Sequence, residues 1–370
     1  MLHIVSFNVP YPADYGGVID VYYRLRALSR LGEKVTLHCF TYGREPSPAL
    51  EQWCHKVLYY PRRTGLRSAL STKPYIVQSR RSDELVHNLM ADHYPVLLEG
   101  LHCCAILEEL RRRDPSRKIM VRAHNVEHEY YRRLASVEAN PFRRLYLSTD
   151  ARRLRRYEQV LLQADTVFAV TTADAAHFQQ LGCRNVVLMP SSHADDHVVS
   201  LTGLGDYALY HADLSVGENI DAVTYLINNV FRHTDCRFIV AGRNPAPQII
   251  QCASSHPNIT VVPNPDEATM QKLISQAQVQ IMVTNLPTGL KLKLLNSLYA
   301  GRHCLVNSNM VAGTELHRVC TIADSADELR AALLRLMQTP FTNDDIRQRQ
   351  QLLGSRYSNE ANARILLTQI

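Results

Sequence analysis

Short apolar runs alternate with amphipathic stretches along almost the whole chain, and the alternation breaks once, near the middle. In the first half the pattern predicts strands at 3–7, 35–39, 56–60, 96–99, 118–122, 166–170 and 185–189. Helices are expected between them at 17–31, 83–91, 102–113, 127–135, 142–164 and 172–181. From 190 to 205, PSSHADDHVVSLTGLG, periodicity gives way to polar residues and two glycines, which reads as a linker. The pattern then restarts, with strands at 207–211, 237–241, 259–262, 279–284, 304–306 and 320–322. The helices expected among them lie at 219–231, 246–254, 266–277, 290–299, 326–338 and 343–353. Strands separated by helices mean parallel sheets with crossover connections, so the fold class is α/β.

At 370 residues the chain is long enough for two domains, each with its own core. An apolar content of 46% with 21% charged residues is that of a soluble protein, and no run approaches the roughly 18 apolar residues of a membrane span. The N-terminal MLHIVSF has no basic lead-in and reads as a first strand, not a signal peptide. Nine cysteines without a CxxC pair fit free thiols and a cytoplasmic protein. Charge is uneven. Between 111 and 156, thirteen arginines and Lys118 face only Asp114, Glu127, Glu129, Glu138 and Asp150, an excess greater than the whole chain's +6. A solvated helix face explains most of this, and peripheral contact with an anionic membrane is the second expectation. No nucleic-acid motif accompanies the arginines.

The most informative segment for function is 283–313, VTNLPTGLKLKLLNSLYAGRHCLVNSNMVAG. It reads strand, loop, helix, Gly301, strand. Thr288, Gly289, Lys291 and Lys293 stand where the loop enters the helix. Unpaired N–H groups and partial positive charge at a helix N-terminus attract phosphate, and the lysines add full charges. Gly289 would let a ligand approach the backbone closely. Three further segments follow expected strands. PADYGG brings Gly16 and Gly17, and RAHNVEHEYY brings His124, Asn125 and His128. HADLSVGEN carries Ser215 and Asn219. Glu99 and His102 end another strand, and Arg243 ends a fourth. Open α/β sheets bind ligands at such carboxyl ends.

These segments together resemble GT-B glycosyltransferases of the retaining family-four type. The 283–313 pattern is similar to that family's donor-binding segment, PADYGG to its P-x-x-x-G-G element, and RAHNVEHEYY to its H-N-x-E-x-x-Y element. The resemblance implies a domain at 1–192 on the acceptor side, a linker at 193–205 and a donor-binding domain at 206–355. A last helix within 356–370 would return to the first domain. It also implies transfer of a sugar from a nucleoside diphosphate sugar to a carbohydrate or lipid-linked acceptor, without a separate cofactor. His124 would be catalytic, with Gly16, Gly17, Glu99, His102, Asn125 and His128 on the acceptor or diphosphate side. Thr288, Gly289, Lys291, Lys293, Asn296, Arg243, Ser215 and Asn219 would hold the donor. Two departures stand out. Ala212 replaces a usual glycine, and Thr288 and Asn296 occupy the places of two glutamates.

His193, Asp195, Asp196 and His197 offer metal-ligand types, but within the linker, and D-x-D is absent, so metal-independent chemistry is expected. A catalytically degenerate partner subunit and a sugar-nucleotide epimerase are the alternatives. An NAD oxidoreductase would need GxGxxG and an acidic ribose ligand, which are missing.

Overall fold

A computed structural model describes residues 1–65, 71–138, 140–287 and 289–370. The chain forms two compact units, one of 1–192 with 357–370 and the other of 193–356.

The first unit is a seven-stranded parallel sheet. In chain order its strands are β1 (Leu2–Ser6), β2 (Val35–Thr41), β3 (Lys56–Pro61), β4 (Val96–Glu99), β5 (Ile119–Ala123), β6 (Thr166–Ala169) and β7 (Val186–Leu188). They lie in the order β3-β2-β1-β4-β5-β6-β7. Every residue of β1, β4, β5 and β6 is buried, because crossover helices cover both faces of such a sheet. The helices are α1 (Gly16–Arg30), α2 (Tyr75–Gln78), α3 (Asp83–Leu89), α4 (Leu107–Arg113), α5 (Glu127–Val137), α6 (Pro141–Tyr157) and α7 (Thr172–Leu181). Helix α7 ends where Gly182 takes a left-handed conformation at φ 98°.

The second unit is a six-stranded parallel sheet of β8 (Ala208–Asp213), β9 (Phe238–Arg243), β10 (Ile259–Pro263), β11 (Val279–Met282), β12 (His303–Val306) and β13 (Thr321–Ile322). Its order is β10-β9-β8-β11-β12-β13. The helices are α8 (Gly217–Asn229), α9 (Pro247–Ser254), α10 (Glu267–Gln276), α11 (Leu292–Ala300), α12 (Ser308–Val311), α13 (Ala326–Met337) and α14 (Asn343–Arg356). A reciprocal Ser325–Glu328 capping box starts α13. The final helix, α15 (Asn359–Leu367), belongs to the first unit, where Ala363 and Leu366 join the core.

The strand order of each sheet reverses once, between β1 and β4 and between β8 and β11. Such switch points leave a crevice at the carboxyl ends of the strands, where open α/β sheets take their ligands.

The arginine-rich stretch is not one solvated face. Arg117 is buried against Asp92 and Arg122 against Asp20, while Arg111 reaches Asp165. Beyond α4, the exposed arginines are Arg132 on α5 and Arg143, Arg144, Arg152, Arg155 and Arg156 on α6. All nine cysteines are unpaired. Among the described residues no helix is long and apolar enough to cross a membrane.

Candidate functional site

In the first unit the switch point gathers a buried charged cluster. Glu99 ends β4 and Arg122 is its register partner on β5. Asp20 and Arg24 face them from α1, four residues apart and both buried. Arg24 donates to Glu99 and lies 2.6 Å from Asp20, and Arg122 Nε donates to Asp20 at 3.0 Å. The Ser192 backbone N–H donates to the other Asp20 oxygen at 2.7 Å. His124 follows β5 directly, with Nδ1 3.4 Å from Asp20 and Nε2 3.0 Å from Glu99.

Burial alone would raise the carboxylates and lower the imidazole, but the mutual charges win. Asp20 is held well below the usual carboxylate range by Arg122 and Arg24, and Glu99 is also lowered, chiefly by Arg24. His124 is raised by its close contacts with the Asp20 and Glu99 carboxylates, which outweigh burial. His102 moves the other way, well below its ordinary value, from burial and the charges of Arg80 and His124. The cluster therefore favours the proton on His124 and disfavours it on His102.

Four of its guanidinium, carboxylate and imidazole atoms lack hydrogen-bond partners among the described residues: Arg24 Nη2, which meets Asp20 as an ion pair, Glu99 Oε2, His102 Nδ1 and His124 Nε2. Buried polar atoms are rarely left so. The Phe7 ring packs against both histidines, with centroids 5.4 and 5.5 Å away. Gly17 makes room for that ring, since a Cβ there would stand 2.5 Å from it, whereas the space beside Gly16 is open. Gly17 thus serves Phe7 packing, and Gly16 is the one with room for close approach. Gly100, at φ 77°, turns the chain between Glu99 and His102.

Asn125 is half-buried beside His124. His128 is not part of this cluster. Its Nδ1 lies 3.0 Å from Glu158, whose other oxygen is 3.0 Å from His177. His128, Glu158 and His177 have the donor types for a metal ion, as do Asp20, Glu99 and His124. In the second group Arg24 and Arg122 already balance both carboxylates.

In the second unit the switch point presents two helix starts, α8 and α11, neither capped by a side chain. Helix α11 begins at Leu292, two residues later than the periodicity suggests, so Lys291 is its N-cap. Lys291 Nζ lies 4.0 Å from Glu218 in the first turn of α8, and Gly289 before it is at φ 69°. Lys293 turns inward instead. Its Nζ donates to Tyr210 Oη at 3.0 Å and to Asn219 Oδ1 at 2.9 Å, and burial brings it down to about 8. Asn219 also donates to the Asp213 carbonyl at 2.9 Å, which makes it a brace between β8 and α8. Ser215 Oγ bonds Asp213 at 2.6 Å, and exposed Arg243 lies 3.7 Å from the same carboxylate.

Asn296 holds both oxygens of Asp195 at 3.3 Å, so the stretch after Ser192 is anchored on α11. His193 packs on Tyr299 with ring centroids 4.8 Å apart, while His197 is exposed. His193 Nδ1 also lies 3.9 Å from Asp195, but among the described residues those at 193–197 form no metal-ligand group. Thr288 lies outside the described residues.

Asp20, Arg24 and Glu218 were not singled out by sequence, and Asp195 only among the metal-ligand types of the linker. A signal existed for the first two: a charged pair at i, i+4 set within the face that Val18, Val21, Leu25 and Leu28 bury.

No protein-family model matches the chain. An uncharacterized 44.6 kDa protein in the cps region of Klebsiella pneumoniae is 36% identical over 152 residues, covering 39% of this chain and 38% of that protein. The match thus spans about two-fifths of the curated relative. Two solved structures cover nearly the whole chain. A sucrose-phosphate synthase from Thermosynechococcus elongatus superposes with a TM-score of 0.71 at 14% identity, over 99% of this chain and 97% of that one. An α,α-trehalose-phosphate synthase (UDP-forming) from Burkholderia xenovorans, in complex with glucose-6-phosphate, does so at 0.65 and 11%, over 99% of both chains. These likenesses establish the GT-B fold that the motifs resemble.

Proposed function

We propose that this GT-B chain transfers a sugar from a nucleoside diphosphate sugar to a hydroxyl of a carbohydrate or lipid-linked acceptor, with retention and without a metal. Fold alone does not decide activity. The observation that carries the reading is the buried polar cluster of Glu99, His102 and His124 at the first sheet's switch point, in which Glu99 and His124 meet as an ion pair at 3.0 Å and His102 Nδ1 has no hydrogen bond among the described residues. Buried polar atoms held by charge or left without a hydrogen bond suit a polar ligand such as a sugar. In the second unit, Lys291 and the uncapped start of α11 are suited to a diphosphate.

In such a transfer, negative charge grows on the leaving diphosphate and positive charge on the anomeric carbon. Lys291 and the α11 N–H groups would stabilise the first. In the first unit Glu99 is balanced by Arg24, and His124 and His102 would orient sugar hydroxyls. The two synthases bear names of glycosyl transfer reactions, which agrees with this assignment.

The first test is a thermal-shift panel of UDP, GDP, ADP and CMP. The right nucleotide at 100 Kd should add about 2.7 kcal/mol of stability. Turnover of the matching sugar nucleotide should persist in EDTA. Failure of every nucleotide to stabilise the protein would count against the whole reading.

Asn296, neutral and already held by Asp195, favours a second reading: a nucleotide-binding partner subunit without turnover. Slow donor hydrolysis by the purified chain separates the two.

A further inference from the structure

We propose that the exposed start of helix α6 is a docking surface for an anionic lipid bilayer. All six residues from Pro141 to Tyr146 are exposed, although three of them are large and apolar. Phe142 is 83% exposed, Leu145 66% and Tyr146 41%. At i, i+3 and i+4 they share one side of the helix. Exposed apolar side chains standing together on a soluble fold mark an interaction site.

Arg143 and Arg144 flank them in the first turn, which has no acidic residue. Cations there oppose the helix dipole, so they do not serve helix stability. Asn140 already satisfies the first N–H groups, accepting from Phe142 at 3.0 Å and Arg143 at 3.2 Å, and Pro141 presets the first turn. Glu138, 3.5 Å from Arg143, is the carboxylate paired with this end. Arg152, Arg155 and Arg156 continue the exposed cationic surface along α6.

Apolar side chains surrounded by guanidinium groups match a bilayer interface. Phe142 and Leu145 would enter the acyl boundary, while the arginines meet lipid phosphates. A two-fold contact with a second copy fits poorly, because it would set this cationic surface against its own equivalent. The inference bears on the acceptor side of the proposed reaction, since it would bring the enzyme to a lipid-linked acceptor. It is read without donor or turnover, so its failure and the failure of that reading are distinguishable.

The test is co-sedimentation of the full chain with phosphatidylcholine vesicles, alone and with roughly one-third phosphatidylglycerol. The wild type should bind only the anionic vesicles and release as salt rises. Two independent double variants, F142S/L145S and R143Q/R144Q, should each lose on the order of tenfold or more in partitioning, at about one tenfold step per pair of arginine or apolar contacts. Both change exposed residues, so an unaltered unfolding temperature is expected. No wild-type binding to anionic vesicles, or binding by both variants at the wild-type level, overturns the proposal. So does self-association of the wild type, seen by sedimentation velocity and lost in F142S/L145S, which would assign the surface to a second copy.

Discussion

His124 Nε2 lies 3.0 Å from Glu99 Oε2, yet neither atom has a hydrogen-bond partner among the described residues. The pair is held by charge and left off hydrogen-bond alignment, so both groups remain able to engage a third. At 3.0 Å no atom fits between them, so a ligand hydroxyl would meet the pair from one side. The pairing also strengthens the hold of this buried imidazole on its proton.

The first prediction is that Glu99→Gln lowers the His124 pKa. Glu99 and Asp20 together hold it above its ordinary value against burial, so removing one carboxylate must bring it down. His124→Ala should reduce kcat by on the order of 10²-fold while leaving nucleotide affinity nearly unchanged. NMR titration of the ring and calorimetry with the nucleotide read these separately. A His124 titration unmoved by Glu99→Gln would remove the pair from the mechanism.

A second prediction concerns pH and stability. Burial pushes Glu127 up from 4.5 to about 7, against the pull of the His124 charge. Between those values the unfolded chain ionises at this position and the folded one does not. Stability should therefore fall as pH rises through that window, with no penalty below it and the full penalty above. Glu127→Gln should remove this dependence and gain stability at pH 7 relative to pH 4, by on the order of 3 kcal/mol. Urea unfolding at both pH values measures it. A variant that tracks the wild type at both would place the titration elsewhere.

The third prediction divides the two lysines. Lys291 caps α11 near Glu218, whereas Lys293 is tied to Tyr210 and Asn219. Lys291→Ala should weaken nucleoside diphosphate binding about 10- to 100-fold, as loss of a charge-assisted bond does, with little change in stability. Lys293→Met should show the larger fall in stability, on the order of 1–3 kcal/mol, by unpairing the brace between β8 and α11. The reverse ranking in calorimetry and unfolding would exchange their roles.

Why one lysine faces out and the other in was not legible in sequence. Residues two apart on a helix must diverge, but which of them meets Tyr210 depends on where α11 begins. The strands were legible, because buried parallel strands need continuous apolar runs such as LHIVS in β1. Helix breaks were less so. The expected helix over 102–113 is a 3-10 turn, Leu101–Ile106, followed by α4, and the one over 142–164 ends at Tyr157 before another 3-10 segment, Glu158–Gln163. There the Glu158 carboxylate is drawn to His128 and His177, contacts 30 and 19 residues away. The cluster around His124 was half legible. Its strand-end residues followed from the rule about carboxyl ends, while the Asp20–Arg122 bond spans 102 residues that no local pattern encodes.

The last prediction concerns Asn296, which stands where the resembled family carries a glutamate. Its amide sits 3.3 Å from both oxygens of Asp195, so a carboxylate already occupies the neighbouring space. Burial already raises the Asp195 pKa. Asn296→Glu would bring a second negative charge against it, and two carboxylates so close cannot both ionise without cost. The variant should be less stable at pH 7 by roughly 1–3 kcal/mol, with the deficit shrinking as pH falls and one carboxyl takes up a proton. The exchanged pair D195N/N296E should recover most of that stability, because it restores one carboxylate facing one amide. If the single variant is as stable as the wild type, or the exchange recovers nothing, Asp195 and Asn296 are not coupled and the asparagine has another cause. If both stability results hold, nucleotide affinity in the exchanged pair shows whether the charge is needed on α11 or only near it.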